Sequence, residues 1–115
     1  MTLEELRKRI DELDRQLVEL LNERARAAKM VGHLKVATSL PVYEPAREKV
    51  VYTNVRAANK GPLPDIELTH IYERIIDVMR ALQRNELASE RNARAASSGH
   101  GDGAETTATE TGNKS

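Results

Sequence analysis

An arginine stands inside an apolar helical stripe. Leu3, Leu6, Ile10, Leu13, Leu17, Leu20, Arg24, Ala27, Val31 and Leu34 follow one another in alternating steps of three and four residues, the spacing of one face of a long helix. Every member is apolar except Arg24. A guanidinium keeps its proton, and burying it unpaired is costly. Arg24 therefore either faces a buried carboxylate or waits for an anionic ligand. Lys35 lies eleven residues further on. Eleven helical steps leave about 20° of rotation and ~16 Å of rise, so the two cations share a face and can lean toward one point between them. Gln83, four residues after Met79 and eleven after Tyr72, borders the apolar face of a later helix. Arg47 and Glu48 fall in the first turns of the helix between. Arg7 is about 100° around the first helix from Arg24 and ~25 Å away, out of reach of that point in its own chain. In an antiparallel-type dimer it could complete the site of the partner.

Taken singly, each residue has an ordinary structural explanation. Arg24 could pair with a glutamate of its own chain. Lys35 could be a solvated lysine near a helix end, Gln83 a satisfied core amide, and Arg7, Arg47 and Glu48 surface charges. Together they are more specific. Several cations around one amide and one carboxylate point to a small dianionic ligand.

The elements that must position these groups are helices. Thr2 with Glu5 three residues on makes a capping box, and helix 1 is expected from about Leu3 to about Ala37, with Gly32 the only weak helix former inside it. Gly32 reads as a site of close backbone packing. Thr38 to Glu44 is a short connection. Pro45 suits the first turn of helix 2, expected over about Pro45 to Asn59. Asn59-Lys60-Gly61-Pro62 stops it, and Asp65 reads as the N-cap of helix 3. There Ile71, Ile75, Met79 and Leu82 make one stripe, widened by Tyr72 and Ile76. From about Ala88 the pattern fails, so residues 1–87 form the expected domain and 88–115 a polar, disordered tail. At ~50 Å, helix 1 is longer than so small a domain can cover. Its stripe has the spacing of a coiled-coil-like seam, and the expected fold is all-α, three helices per chain, in a homodimer whose long first helices pack together.

Composition narrows the function. The 115 residues suffice for one domain with a modest core. Cysteine is absent, which excludes disulfides and thiolate chemistry. His33, His70 and His100 are scattered without ligand spacing, so no metal is expected. A formal net charge of +0 argues against nucleic acid as a partner. No apolar run is long enough to cross a bilayer and no targeting segment is evident, so a cytoplasmic location without membrane contact is expected. Phe and Trp are absent and Tyr numbers 3. The core must be aliphatic, which suits packed helices.

Leu6-Arg7-Lys8-Arg9-Ile10-Asp11-Glu12-Leu13-Asp14, Leu20-Leu21-Asn22-Glu23-Arg24 and Val31-Gly32-His33-Leu34-Lys35 resemble, in order and spacing, the first helix of the all-helical (AroQ-type) chorismate mutases. Pro41 through Glu48 resembles the family's next segment, and Ile75-Ile76 through Ala81-Leu82-Gln83 its third helix. The resemblance covers residues 3–87. It implies an intertwined, domain-sharing helical dimer with two equivalent sites that rearranges chorismate to prephenate on the route to phenylalanine and tyrosine, with no cofactor and no metal. It further implies that Arg24 and the partner's Arg7 hold the two substrate carboxylates. Lys35 and Gln83 would bond the ether oxygen, Glu48, helped by Glu44, would accept from the ring hydroxyl, and Arg47 would line the site. Glu44 stands where many members have aspartate, and Met79 where some have a hydroxyl residue near a carboxylate. The competing expectations are an isochorismate–pyruvate lyase, which resembles the fold, and a non-catalytic helical dimerisation module. The length leaves no room for a fused catalytic or amino-acid-sensing domain, so a monofunctional enzyme is expected, with a separate regulatory partner enzyme compatible with the sequence.

Overall fold

The computed structural model describes residues 1–98. They form three helices, α1 (Leu3–Thr38), α2 (Pro45–Ala58) and α3 (Asp65–Ser98), with no strand among the described residues. The fold class is all-α. The capping box opens α1: Thr2 Oγ1 accepts from the Glu5 amide at 3.1 Å, and Glu5 Oε1 accepts from the Thr2 amide at 2.7 Å. That satisfies two N–H groups that the helix leaves without partners. Ser39, in the left-handed region at φ 60°, ends α1, and the Leu40 amide donates back to the Lys35 carbonyl at 3.0 Å. Pro45 opens α2 as expected.

Two boundaries differ from the sequence reading. Asp65 is not the N-cap of α3 but its first residue; the Leu68 amide donates to the Pro64 carbonyl at 3.0 Å. The Asp65 carboxylate instead accepts from Asn59 Nδ2 at 2.6 Å, and Asn59 also donates to the Leu63 carbonyl at 2.8 Å. One amide thus ties the whole α2–α3 turn. Helix α3 also runs on to Ser98, past the expected domain boundary at Leu87. The stretch from Ala88 to Ser98 has no large apolar residue but four Ala and two Arg, which favour a helix without needing burial. The remainder of the expected tail, residues 99–115, lies outside the described residues.

Both α1 and α2 pack on α3. Contacts pair Arg24 with Tyr72, Gly32 with Gln83 and His33 with Glu90, so α1 and α3 run in the same direction. Little is enclosed. Among the described residues the buried apolar side chains are Ala28, Ile76 and Met79. The α3 surface that faces inward is therefore the Tyr72–Ile76–Met79–Gln83 row, while Ile71 lies open at 48% exposure. The N-terminal part of the α1 stripe is also open: Leu6, Ile10, Leu17 and Leu20 are 44–61% exposed.

Candidate active site

A cleft of about 320 Å³ lies between the distal half of α1, the start of α2 and the middle of α3. Arg24 and Lys35 reach it from α1, Glu44, Arg47 and Glu48 from the α2 entry, and Met79, Arg80 and Gln83 from α3. Ala28, Val51 and Ile76 supply apolar wall. Every site residue named from the sequence lines this cleft except Arg7, which is exposed near the start of α1 and takes no part in it within one chain.

Lys35 is the buried charge of the site, 7% exposed. Its ammonium donates to the Val42 carbonyl at 3.0 Å and to Gln83 Oε1 at 3.0 Å, and pairs with Glu44 Oε1 at 2.7 Å. An ammonium has three N–H groups and no acceptor, so all its donors are matched. The same rule fixes the Gln83 amide: it must offer its oxygen to Lys35, which leaves its NH₂ as donor to the cleft. Glu44 is thus engaged with Lys35. Gly32, one turn before Lys35, explains how the two helices come this close. A Cβ there would sit 3.1 Å from the Gln83 Cα.

Arg24 is half-buried, and among the described residues no carboxylate lies within 4.0 Å of its guanidinium. Its one recorded contact is with the Tyr72 ring, 6.0 Å from the centroid, the outer reach of a cation–π attraction. Of the two alternatives the sequence left for Arg24, the intrachain ion pair is absent within the described residues. Arg47 is exposed on the rim.

Sequence reasoning missed Arg80. Its Nη2 and Nε donate to Glu48 Oε2 at 2.6 and 3.2 Å, its Nη1 lies 3.4 Å from Asp77, and its guanidinium covers the Tyr43 ring at 5.0 Å. The hydrogen bond to Glu48 raises the Arg80 pKa further above its ordinary value, against the opposing effect of burial. Tyr52 behind it is raised as well, by burial first and then by the charges of Glu73, Glu48 and Asp77. The signal for Arg80 was its place four residues after Ile76 on the inward row.

Among the groups lining the cleft, four cations (Arg24, Lys35, Arg47, Arg80) meet two carboxylates (Glu44, Glu48), an excess of two positive charges. The cleft lining contains no Ser, Thr, Cys or His to act as nucleophile or proton shuttle. The arrangement can bind a small dianion, shape it, and donate hydrogen bonds to an oxygen between Lys35 and Gln83. Away from the cleft, His33 Nδ1 lies 2.5 Å from Glu90 Oε1, with Glu86 alongside. That grouping of α1 with α3 had no trace in sequence spacing.

The fold and cleft define an all-α protein that gathers helix-borne cations around one cleft. The profile of the chorismate mutase type II family matches residues 6–84, and the chain belongs to that family. It is 40% identical over 86 residues to a bifunctional chorismate mutase/prephenate dehydratase of Aquifex aeolicus, a match covering 71% of this chain and 24% of that protein. The chain spans about a quarter of the length of such bifunctional relatives. It is 34% identical over 91 residues to a chorismate mutase of Methanocaldococcus jannaschii, covering 78% of this chain and 92% of that one. A solved chorismate mutase structure from Thermus thermophilus superposes with a TM-score of 0.70 at 32% identity, covering 71% of this chain and 93% of that chain. Among the described residues no helix is long and apolar enough to cross a membrane.

Proposed function

We propose that this chain is a chorismate mutase, rearranging chorismate to prephenate in phenylalanine and tyrosine biosynthesis. The observation that carries the reading is the Lys35–Gln83 pair at 3.0 Å in a cleft with excess positive charge. In the [3,3] shift the ether C–O bond breaks as a C–C bond forms, and no proton or external electron is needed. The demand on the protein is to hold a flexible dianion folded for reaction and to stabilise negative charge growing on the ether oxygen. Lys35 and the Gln83 amide supply that charge stabilisation. Arg24 holds one substrate carboxylate, Arg7 of the partner subunit the other, and Arg47 adds positive charge at the rim. Glu48 accepts from the ring hydroxyl. Glu44 leaves Lys35 or shares it as substrate enters. Met79 packs against the substrate without a polar contact.

The functional unit is a homodimer in this reading. The open leucines of α1 and the small number of buried apolar residues support it, since an apolar stripe of this length is stable in water only when covered. An antiparallel-type pairing brings Arg7 of one subunit to the cleft of the other. The same reading keeps the cytoplasmic location inferred from the sequence. The fusion of chorismate mutase with prephenate dehydratase in relatives supports a partner enzyme working beside this one.

The test is loss of chorismate absorbance on adding purified protein, with the product identified by chromatography. Prephenate is the expected product. Isochorismate offered in parallel should be left intact; salicylate plus pyruvate from it would replace the mutase reading with the lyase. A folded dimer that neither turns over nor binds chorismate would leave the dimerisation module.

A further inference from the structure

The mutase reading gives Glu48 a task, to accept a hydrogen bond from the ring hydroxyl, and the structure shows what holds Glu48. Both Arg80 donors on that side converge on one carboxylate oxygen, Oε2, at 2.6 and 3.2 Å. Among the described residues Oε1 takes no donor, and Glu48 lines the cleft. A fork on a single oxygen anchors that oxygen and leaves the other for a ligand.

We propose that Arg80 is a positioning residue, holding Oε2 of Glu48 so that Oε1 is aimed at the ring hydroxyl of the substrate. The proposal rests on the mutase reading. Arg80 does not itself take the place of a substrate ligand, because its contacts are committed. Nε and Nη2 serve Glu48, Nη1 faces Asp77, and the guanidinium face covers Tyr43. Those contacts come from three elements. Tyr43 belongs to the α1–α2 connection, Glu48 to α2, and Asp77 lies one turn before Arg80 on α3. A side chain gripped from three sides keeps one rotamer, which is what a positioning group requires. Lysine in its place would keep the charge and lose the fork.

The role is separable from a mere α2–α3 clamp. Positioning Glu48 matters only for a ligand that has the hydroxyl. The experiment compares Arg80→Met and Arg80→Lys with wild type, using kcat/KM for chorismate and the inhibition constant of a chorismate analogue with hydrogen in place of the ring hydroxyl. The expected result for Arg80→Met is a loss of about tenfold in kcat/KM, the size of one charge-assisted contact, with the inhibition constant within about twofold of wild type. Arg80→Lys should lose less than Arg80→Met but more than twofold, and it serves alone if the methionine variant does not fold. If both constants worsen together, or neither moves, Arg80 has no positioning role. Prephenate formation by the wild type is measured first. Its absence overturns the mutase reading together with this proposal, whereas an active wild type with unchanged variants overturns this proposal alone.

Discussion

Replacing Gly32 with alanine tests how finely the spacing of α1 and α3 sets the site. The new Cβ would meet the Gln83 Cα at 3.1 Å and the Gln83 Cβ and carbonyl oxygen at 3.3 Å, against ordinary contacts of 3.4–4 Å. Two of those atoms are backbone in the middle of α3, so no side chain can swing away. The helices must part by a few tenths of an ångström. Two terms oppose each other. Alanine favours the helix over glycine by about 1 kcal/mol, and overpacking a tight contact costs about 1–3 kcal/mol. The expected balance is a loss of about 1 kcal/mol, or about 5 °C in Tm. The Lys35–Gln83 bond at 3.0 Å spans the same two helices one turn on, so catalysis should feel the shift. A displacement of 1 Å can cost about 100-fold; a third of that predicts a loss of about fivefold in kcat/KM. Thermal unfolding and steady-state kinetics on Gly32→Ala decide the matter. A higher Tm with kcat/KM within twofold of wild type would refute the reasoning, because it would show that α1 and α3 part freely and that their approach does not set the donor geometry.

Arg24→Ala should lower kcat/KM at least about 100-fold while circular dichroism stays helical, as loss of a carboxylate clamp requires; near-normal turnover would remove Arg24 from the site. Mixing inactive Arg7→Ala with inactive Lys35→Ala should restore part of the activity once subunits exchange, since one site of the heterodimer then has both residues; proven exchange without recovery would place Arg7 elsewhere. Because the Gln83 amide has no proton to lose, kcat/KM should be nearly flat from about pH 5 to about pH 7; a steep fall across that range in steady-state assays would mean that an ionising donor does this work. Glu5 is held below the ordinary value of 4.5 by its bond from the Thr2 amide and then by the Thr2 hydroxyl. A depressed carboxylate stabilises the fold above its unfolded pKa and loses that effect as pH falls through its folded one. Glu5→Gln should therefore reduce Tm at pH 7 and make little difference well below pH 4.5, measured by thermal melts at the two pH values.

Much of the site was legible because its residues violate a period. Arg24 announces itself only by standing among leucines, and Lys35 by sharing its face, and both line the cleft. The start of α1 was legible from Thr2 and Glu5, whose types and spacing leave few alternatives. Gly32 was legible as a close approach, though not its partner, Gln83. What stayed hidden depends on contacts between helices. Arg80, four residues after Ile76, borders the inward row, but its role shows only once α2 brings Glu48 to it. Glu44 was assigned to a substrate hydroxyl, and only the path of the α1–α2 connection turns it to Lys35. The extension of α3 to Ser98 shows no apolar spacing, because propensity alone can carry a helix beyond its packed part.

The three acceptors around Lys35 make ligand entry an exchange. The ammonium has no idle N–H, so an incoming oxygen gains a bond only by displacing Val42, Gln83 or Glu44. Glu44 is the partner free to go, its side chain being 44% exposed. A ligand that fills the space but offers no oxygen at that point leaves the Lys35–Glu44 contact intact and draws nothing from it. Selectivity is thereby written into these contacts: the protein screens visitors by whether they can take over a bond that it already makes to itself.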